Sequence, residues 1–424
     1  MVGISIVLII ANMLLLFHIY RSKKVHAFLK IIWGVSYLGW GALPLILIMT
    51  PLYTEMISVP ISYYLFYANI NQVSLFLMNL WAYYLIRNCQ IPKLFIKADF
   101  QDKRSFNYAM FWICSLILML IIFRLIVTPL GYQERNDLSM MSTDLTLGVY
   151  TLLEDFSVFI LLAQILWKRN VIGKKMKISS EILLSLYVLM QIYNGRRIYL
   201  FFFVLVLLYI SYKENKKKWA LYALFMGGVA MWLLPIIADL RQEGKVNMDN
   251  IIESKGGTLN DITNQVVLKT NSVQYSCYLL MHDGIGQMGP KLYTSTIYAL
   301  IPRFIYPNKP VPGSVDGTLN GIPARLNAFY HRDNYNDIEN NGITSSLEAL
   351  WALGWPMFFL QTLIVGYVIF LFNGISFGGK PMFVYFMFSL IGFPVCVIDV
   401  SLVKIFLNIQ RYILIYLIFK FCFK

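Results

Sequence analysis

Eleven stretches of this chain are long and apolar enough to cross a hydrocarbon layer as helices, and that pattern restricts its fold more than any other feature. They run near 2–20, 28–50, 61–86, 106–127, 146–167, 178–194, 198–212, 219–237, 345–372, 381–400 and 405–420. A crossing takes about 20 mostly apolar residues, and inside the layer every backbone polar group needs a partner within its own segment, which selects helices. Composition agrees: 58% of the 424 residues are hydrophobic and 14% charged, against about 25% charged in soluble domains. The expected fold is an all-α polytopic membrane protein of about 11–12 transmembrane helices. The first run has no basic segment before it and no small-residue cleavage site, and further spans follow, so it is expected to be retained as a helix.

The net charge of +14 could suggest a nucleic-acid partner, but its distribution excludes that use. Lysine and arginine gather in alternate loops: Arg21, Lys23, Lys24 and Lys30 after the first span, Arg87 to Arg104 after the third, Lys168 to Lys177 after the fifth, Lys213 to Lys218 after the seventh. The intervening loops hold few cations, as in PLYTEMISVP. This asymmetry reports orientation, with the basic loops inside. It puts the amino terminus outside, the carboxyl terminus inside, and the long connection between the eighth and ninth spans outside. The expected organisation is a membrane domain of eight spans over 1–237, a large, partly helical outer loop over 238–342, and C-terminal membrane helices over 343–424. Five cysteines without CxxC spacing argue against a disulfide framework or metal cluster. A phosphate-binding GxxxxGK[ST] loop is absent, which disfavours an ATP-driven pump.

The outer loop is too long and too varied for a linker, and its periodic apolar stretches argue against disorder. Residues 259–282 are expected to be helical, and KLYTSTIYALIPRFIYP to lie on the membrane surface until Pro302 stops it. The segment IPRFIYPNKPVPGS, residues 301–314, concentrates four prolines around Arg303 and Lys309. Prolines shape a rigid turn with few free donors, so these cations would be held in place, with Phe304 and Tyr306 available to lipid or sugar rings.

Polar residues inside the spans either pair with one another or serve a site. Glu154 and Asp155 fall in the middle of the fifth span, Asn69, Gln72 and Asn79 mark one face of the third, and Arg124 and Asp399 lie near outer ends. Interhelical hydrogen bonds and ion pairs account for most such groups, whereas a proton-coupled carrier would use the two carboxylates. Arg196 and Arg197, in NGRRIYLFF, stand at an outer turn against the positive-inside trend. They are either a snorkelling pair at lipid headgroups or a site for an anion, since planar guanidinium donors suit phosphate bidentately. Arg241, Arg303 and Arg325 add outer-face cations, more than one lipid phosphate needs and suited to a diphosphate. Glu348 and His331 are candidate proton acceptors on the same side.

Taken in order, the Gly195-Arg196-Arg197 turn, Arg241 soon after the next span, the IPRFIYPNKP signature and SLEALWALGWPMFF resemble the Wzy-type O-antigen (oligosaccharide repeat unit) polymerases, over roughly residues 190–370. The resemblance implies a GT-C-like, metal-independent glycosyltransferase of lipopolysaccharide biosynthesis in the bacterial inner membrane. Its substrates would be undecaprenyl-diphosphate-linked oligosaccharides met at the periplasmic face, with no cofactor and with a chain-length regulator as a partner. It further implies that Arg196, Arg197, Arg241, Arg303, Lys309 and Arg325 bind the diphosphate and that Glu348 or His331 takes the acceptor proton.

Three rivals remain open at this stage. An O-antigen ligase would use the same donor but transfer the glycan to lipid A core. A polysaccharide flippase would be expected to show two similar halves and no large outer loop. A membrane-bound acyltransferase would call for a membrane-embedded histidine, and none stands out.

Overall fold

A computed structural model describes residues 1–26, 59–90, 104–127, 174–193, 272–290 and 344–378, with short pieces between them. Among the described residues there are seven α-helices, one π-helical segment and no strand. The all-α expectation therefore holds for everything described. Contacts group the chain into one unit of Met1–Asp99 with Val267–Lys420, and a second of Phe100–Val266 with Phe421–Lys424.

The first unit holds α1 (Val2–Arg21), α2 (Ile61–Asn88), α5 (Ser272–Asp283), α6 (Ser345–Leu353) and α7 (Trp355–Gly378), with the π-helical residues Tyr37–Ala42 against α2. The helix α1 coincides with the first expected span, and it is long and apolar enough to cross a membrane; Phe111–Arg124 and Trp355–Leu371 are shorter apolar helical stretches. The amides and hydroxyls distributed along α2 make its 28 residues less apolar overall, although its length would suffice.

Those polar groups join the unit together. The Ser5 hydroxyl donates to Asn69 Oδ1 at 2.7 Å, Asn12 Nδ2 to both the backbone oxygen and Oε1 of Gln72 at 3.2 Å, and Lys24 Nζ to the Arg87 carbonyl at 2.8 Å. Residue numbers rise together on the two helices, so α1 and α2 run parallel. Trp33 Nε1 donates to Asn79 Oδ1 at 2.6 Å and the Tyr37 hydroxyl to Gln72 Oε1 at 3.0 Å, while Gln72 Nε2 donates to the Gly41 carbonyl. Here the numbers run oppositely, so residues 33–41 descend along α2. The expectation that Asn69, Gln72 and Asn79 mark one interhelical face is thus met by direct hydrogen bonds. Each pairs polar groups that packing has buried, and such bonds contribute about 0.6 kcal/mol on average where they join membrane helices.

Against another side of α2 packs α7, also parallel to it: Ser74 and Thr362 share a hydroxyl hydrogen bond at 3.0 Å, and Gly366 lies against Trp81, Met78 and Ala82. Small residues allow such close approach where two helices meet in lipid. The exposed faces have the opposite character. On α1, Val7 and Leu14 are exposed while Ser5 and Asn12 are fully buried, and on α7 Phe359 and Leu363 are exposed while Gln361, Thr362 and Asn373 are buried.

One difference from the sequence concerns the expected ninth span, 345–372, which is two helices. Gly354 lies between them at φ +75° and ψ −158°, an extended positive-φ conformation open to a residue without a Cβ, and α6 ends there. Pro356, in the first turn of α7, needs no backbone donor there. The described part of the expected 259–282 helix is α5, and residues 259–271 lie outside the described residues.

In the second unit, α3 (Arg104–Val127) buries Phe111, Cys114, Leu118 and Ile121 at helical spacing, and α4 (Lys174–Tyr193) buries Leu183, Leu184, Tyr187 and Val188. Both helices coincide with expected spans, and both turn large apolar side chains outward, such as Trp112, Leu116 and Phe123 on α3 and Ile182 and Leu189 on α4.

His26, in the connection after α1, donates its backbone N–H to Asn373 Oδ1 at 2.8 Å. Its imidazole pKa is held down at about 4, first by burial and then by the positive charge of Lys30. The unfolded chain therefore binds this proton at higher pH than the folded one, so the folded state loses stability as pH falls from about 6.5 towards 4. Thermal unfolding followed across that window should show a shallower decline for His26→Gln than for the wild type.

Candidate functional site

The short helix α6 carries Glu348, and the surrounding structure holds that helix at both ends. At its start, the Thr344 backbone N–H donates to Ser276 Oγ of α5 at 3.0 Å, and the Ser346 hydroxyl donates to Asn71 Oδ1 of α2 at 2.7 Å. Both contacts are buried. Glu348 falls in the first turn of the helix, where the amide dipoles favour a negative charge, and it is 1% exposed.

At the other end, the loop DGIGQMGP supplies what the last turn lacks. Gly286 N–H donates to the Leu350 carbonyl at 3.1 Å and Gly289 N–H to the Ala352 carbonyl at 2.8 Å. The Leu350 carbonyl also accepts from the Gly354 N–H at the end of its own helix at 3.0 Å, and the loop N–H groups add partners to the carbonyls of a last turn that would be costly to bury without donors. The Trp351 indole N–H donates to Asp283 Oδ2 at 3.1 Å and ties the same turn to the end of α5. Gly284, Gly286 and Gly289 all have φ between 72° and 85°, which only glycine adopts without strain. A Cβ on Gly286 would meet Gly354 at an ordinary 3.5 Å, so Gly286→Ala should act through backbone strain alone. The expected cost is about 1–2 kcal/mol, read as a lower unfolding temperature with the helical circular dichroism retained.

Around Glu348 gathers a buried apolar cluster that includes Tyr64, Tyr67, Leu347, Trp351 and Phe358, with Cys277 and the partly buried Tyr293. The Tyr293 phenol pKa is raised, first by burial and then by the nearby Glu348 carboxylate, and burial raises that of the Cys277 thiol. Both groups are therefore neutral at pH 7. The arrangement is a buried carboxyl side chain near a phenol that keeps its proton, on a helix whose position is set by several independent hydrogen bonds. A carboxylate is able to accept a proton from an alcohol and a phenol to donate a hydrogen bond, so the two groups supply acid–base chemistry.

Of the candidate residues identified in the sequence, Glu348 is the one that the structure describes. Arg196, Arg197, Arg241, Arg303, Lys309, Arg325 and His331 lie outside the described residues, as do Asp155 and Asp399. Glu154, in the second unit, is buried and accepts a hydrogen bond from the Tyr187 hydroxyl at 2.5 Å, and Arg124 is exposed near the end of α3. For Glu154 the interhelical reading holds. Sequence reasoning did not single out Tyr293, Ser276, Asn71 or the glycine loop. The loop did carry a signal, because glycines at 284, 286 and 289 mark successive left-handed positions. The polar partners of α6 carried none, since Ser, Thr and Asn are common and their pairing is set by helix packing.

Compared with protein-family models, curated proteins and solved structures, the chain matches none of them.

Proposed function

We propose that this chain is a multi-pass membrane glycosyltransferase that polymerises lipid-linked oligosaccharide repeat units on the outer face of a bacterial inner membrane. The observation that carries the reading is Glu348, buried in the first turn of a helix clamped at both ends. A carboxylate held this way suits the positioned base that a glycosyl transfer without metal needs.

Two further observations support it. The outward apolar and inward polar faces of α1 and α7 suit lipid as the solvent. The parallel run of α1, α2 and α7 agrees with the charge asymmetry of the loops, which makes the first, third and ninth spans all descend from outside to inside. The descending residues 33–41 supply the return crossing between α1 and α2.

In the proposed reaction the acceptor sugar hydroxyl attacks the anomeric carbon of the donor glycan. Its proton passes to the Glu348 carboxylate, a C–O bond forms to the acceptor oxygen, and the bond from the anomeric carbon to the diphosphate oxygen breaks. Undecaprenyl diphosphate leaves carrying the negative charge, which falls to the cations expected from the sequence to bind it, Arg197, Arg241 and Arg303 with Arg196, Lys309 and Arg325. His331 is the second candidate for the proton.

The test is glycan laddering in cells or proteoliposomes supplied with undecaprenyl-diphosphate repeat units. Wild type and Lys213→Ala should produce ladders, Arg197→Ala single repeats only, and Arg197→Lys a partial ladder because a point charge lacks the bidentate fork. Unchanged ladders in Arg197→Ala would remove that arginine from the site. Transfer of glycan to lipid A core without laddering would identify a ligase instead.

A further inference from the structure

Because α1, α2 and α7 run parallel, their C-terminal ends gather at one end of the first unit. Five cations collect there: Arg21, Lys23, Lys24 and Lys30 in and after the last turn of α1, and Arg87 in the last turn of α2. None of the sequences of α1, α2 and α7 contains an aspartate or glutamate. Among the described residues the ion pair found is Lys177 with Glu181, which belongs to α4 of the other unit. Three helix C-termini contribute roughly half a negative charge each, well short of five positive charges.

The cations are also ordered. Asn373 Nδ2 donates to the Lys24 carbonyl at 2.9 Å and its Oδ1 accepts from the His26 backbone, which pins the turn to α7. On its other side Lys24 Nζ reaches the Arg87 carbonyl, bringing the two basic segments together. The Arg21 guanidinium lies 4.3 Å above the Phe17 ring, and Lys30 Nζ lies 5.6 Å from that of Tyr20.

One turn deeper, exposed aromatics form a band: Phe17 and Tyr20 on α1, and Tyr84 on α2 stacked upon Trp81 at 5.8 Å. Beyond the band, the exposed side chains of the two helices are apolar, Leu14 and Leu80 among them. A ligand that satisfies all three zones has a phosphate at the cations, a glycerol linkage at the aromatic band and an acyl chain against the leucines.

We propose that this end of the first unit is a binding site for the phosphate headgroup of an anionic phospholipid, with Arg21, Lys23, Lys24 and Arg87 as its ligands. The site is independent of the glycan chemistry proposed for Glu348. It holds a lipid at the ends of α1 and α2, where the Asn373 contacts also anchor α7.

The full-length protein, purified in detergent, is to be mixed with phosphatidylglycerol or phosphatidylcholine and the retained lipids counted by native mass spectrometry. Wild type should retain phosphatidylglycerol over phosphatidylcholine, and raised salt should weaken that retention. Arg21→Gln/Lys23→Gln, whose side chains make no hydrogen bond to the turn among the described contacts, should retain phosphatidylglycerol roughly fivefold less for each cation removed. Lys174→Gln/Lys175→Gln, at exposed cations of α4, should retain it as wild type does. Equal retention of the two lipids by wild type, or undiminished retention by Arg21→Gln/Lys23→Gln, would overturn the site. Displacement of phosphatidylglycerol by inorganic phosphate would overturn its assignment to a lipid and make it a site for the free ion.

Discussion

Gly366→Val is expected to lower the unfolding midpoint more than any other substitution considered for this chain. A Cβ at this position would lie 2.7 Å from Trp81 Cδ1 and 3.0 Å from the Met78 carbonyl oxygen. The tryptophan could rotate, although it would lose its stacking on Tyr84, but the carbonyl belongs to the backbone of α2 and yields only if the helices separate. Separation would also pull apart the Ser74–Thr362 hydrogen bond one turn away. Overpacking of this kind costs about 1–3 kcal/mol, and the lost contacts place valine at the upper end. Gly366→Ala should be intermediate, since the helix propensity of alanine offsets about 1 kcal/mol. Gly3→Ala is the control, because nothing lies within 4 Å of the added carbon and the same propensity gain acts unopposed. Fluorescence-detected size exclusion after graded heating ranks the three; equal midpoints for Gly366→Val and wild type would show that α2 and α7 do not depend on this contact.

Glu348→Gln is expected to abolish glycan laddering while the protein remains folded. Glutamine keeps the shape of the side chain and removes its capacity to take a proton, and loss of a positioned base costs about 10²–10⁴-fold in rate. The hydrogen bonds from Thr344, Ser346 and the glycine loop that hold the two ends of α6 do not involve the side chain that is changed, so they survive it. Unfolding midpoints should therefore match wild type within about 1 kcal/mol, even though an amide replaces a carboxyl at a buried position. Tyr293→Phe should retain a ladder at reduced rate, because it removes a donor beside the base rather than the base. A full ladder from Glu348→Gln together with a lowered midpoint would make Glu348 a structural group and move the search for the base to His331. A full ladder with an unchanged midpoint would remove it from both roles.

The outline of the helices was legible in the linear pattern. Expected spans at 2–20, 61–86, 106–127 and 178–194 correspond to α1, α2, α3 and α4 within a few residues, because uninterrupted apolar length is a local property. The polar face of α2 was legible too, since amides within an apolar segment have few alternatives to pairing across helices. Glu348 could be singled out for the same reason, as an acid at the head of an apolar run.

Other features depended on how distant segments meet. The run 345–372 reads as one span, and its division at Gly354 follows from a loop seventy residues earlier whose N–H groups add partners to the terminal carbonyls of α6. Tyr293 becomes part of the candidate site only through its packing on the cluster around Glu348, which no spacing in the sequence announces. Hydropathy is additive along the chain and so survives reading in one dimension. Hydrogen-bond partnership and burial are relations between residues 31 to 349 positions apart, and they exist only once the helices have packed.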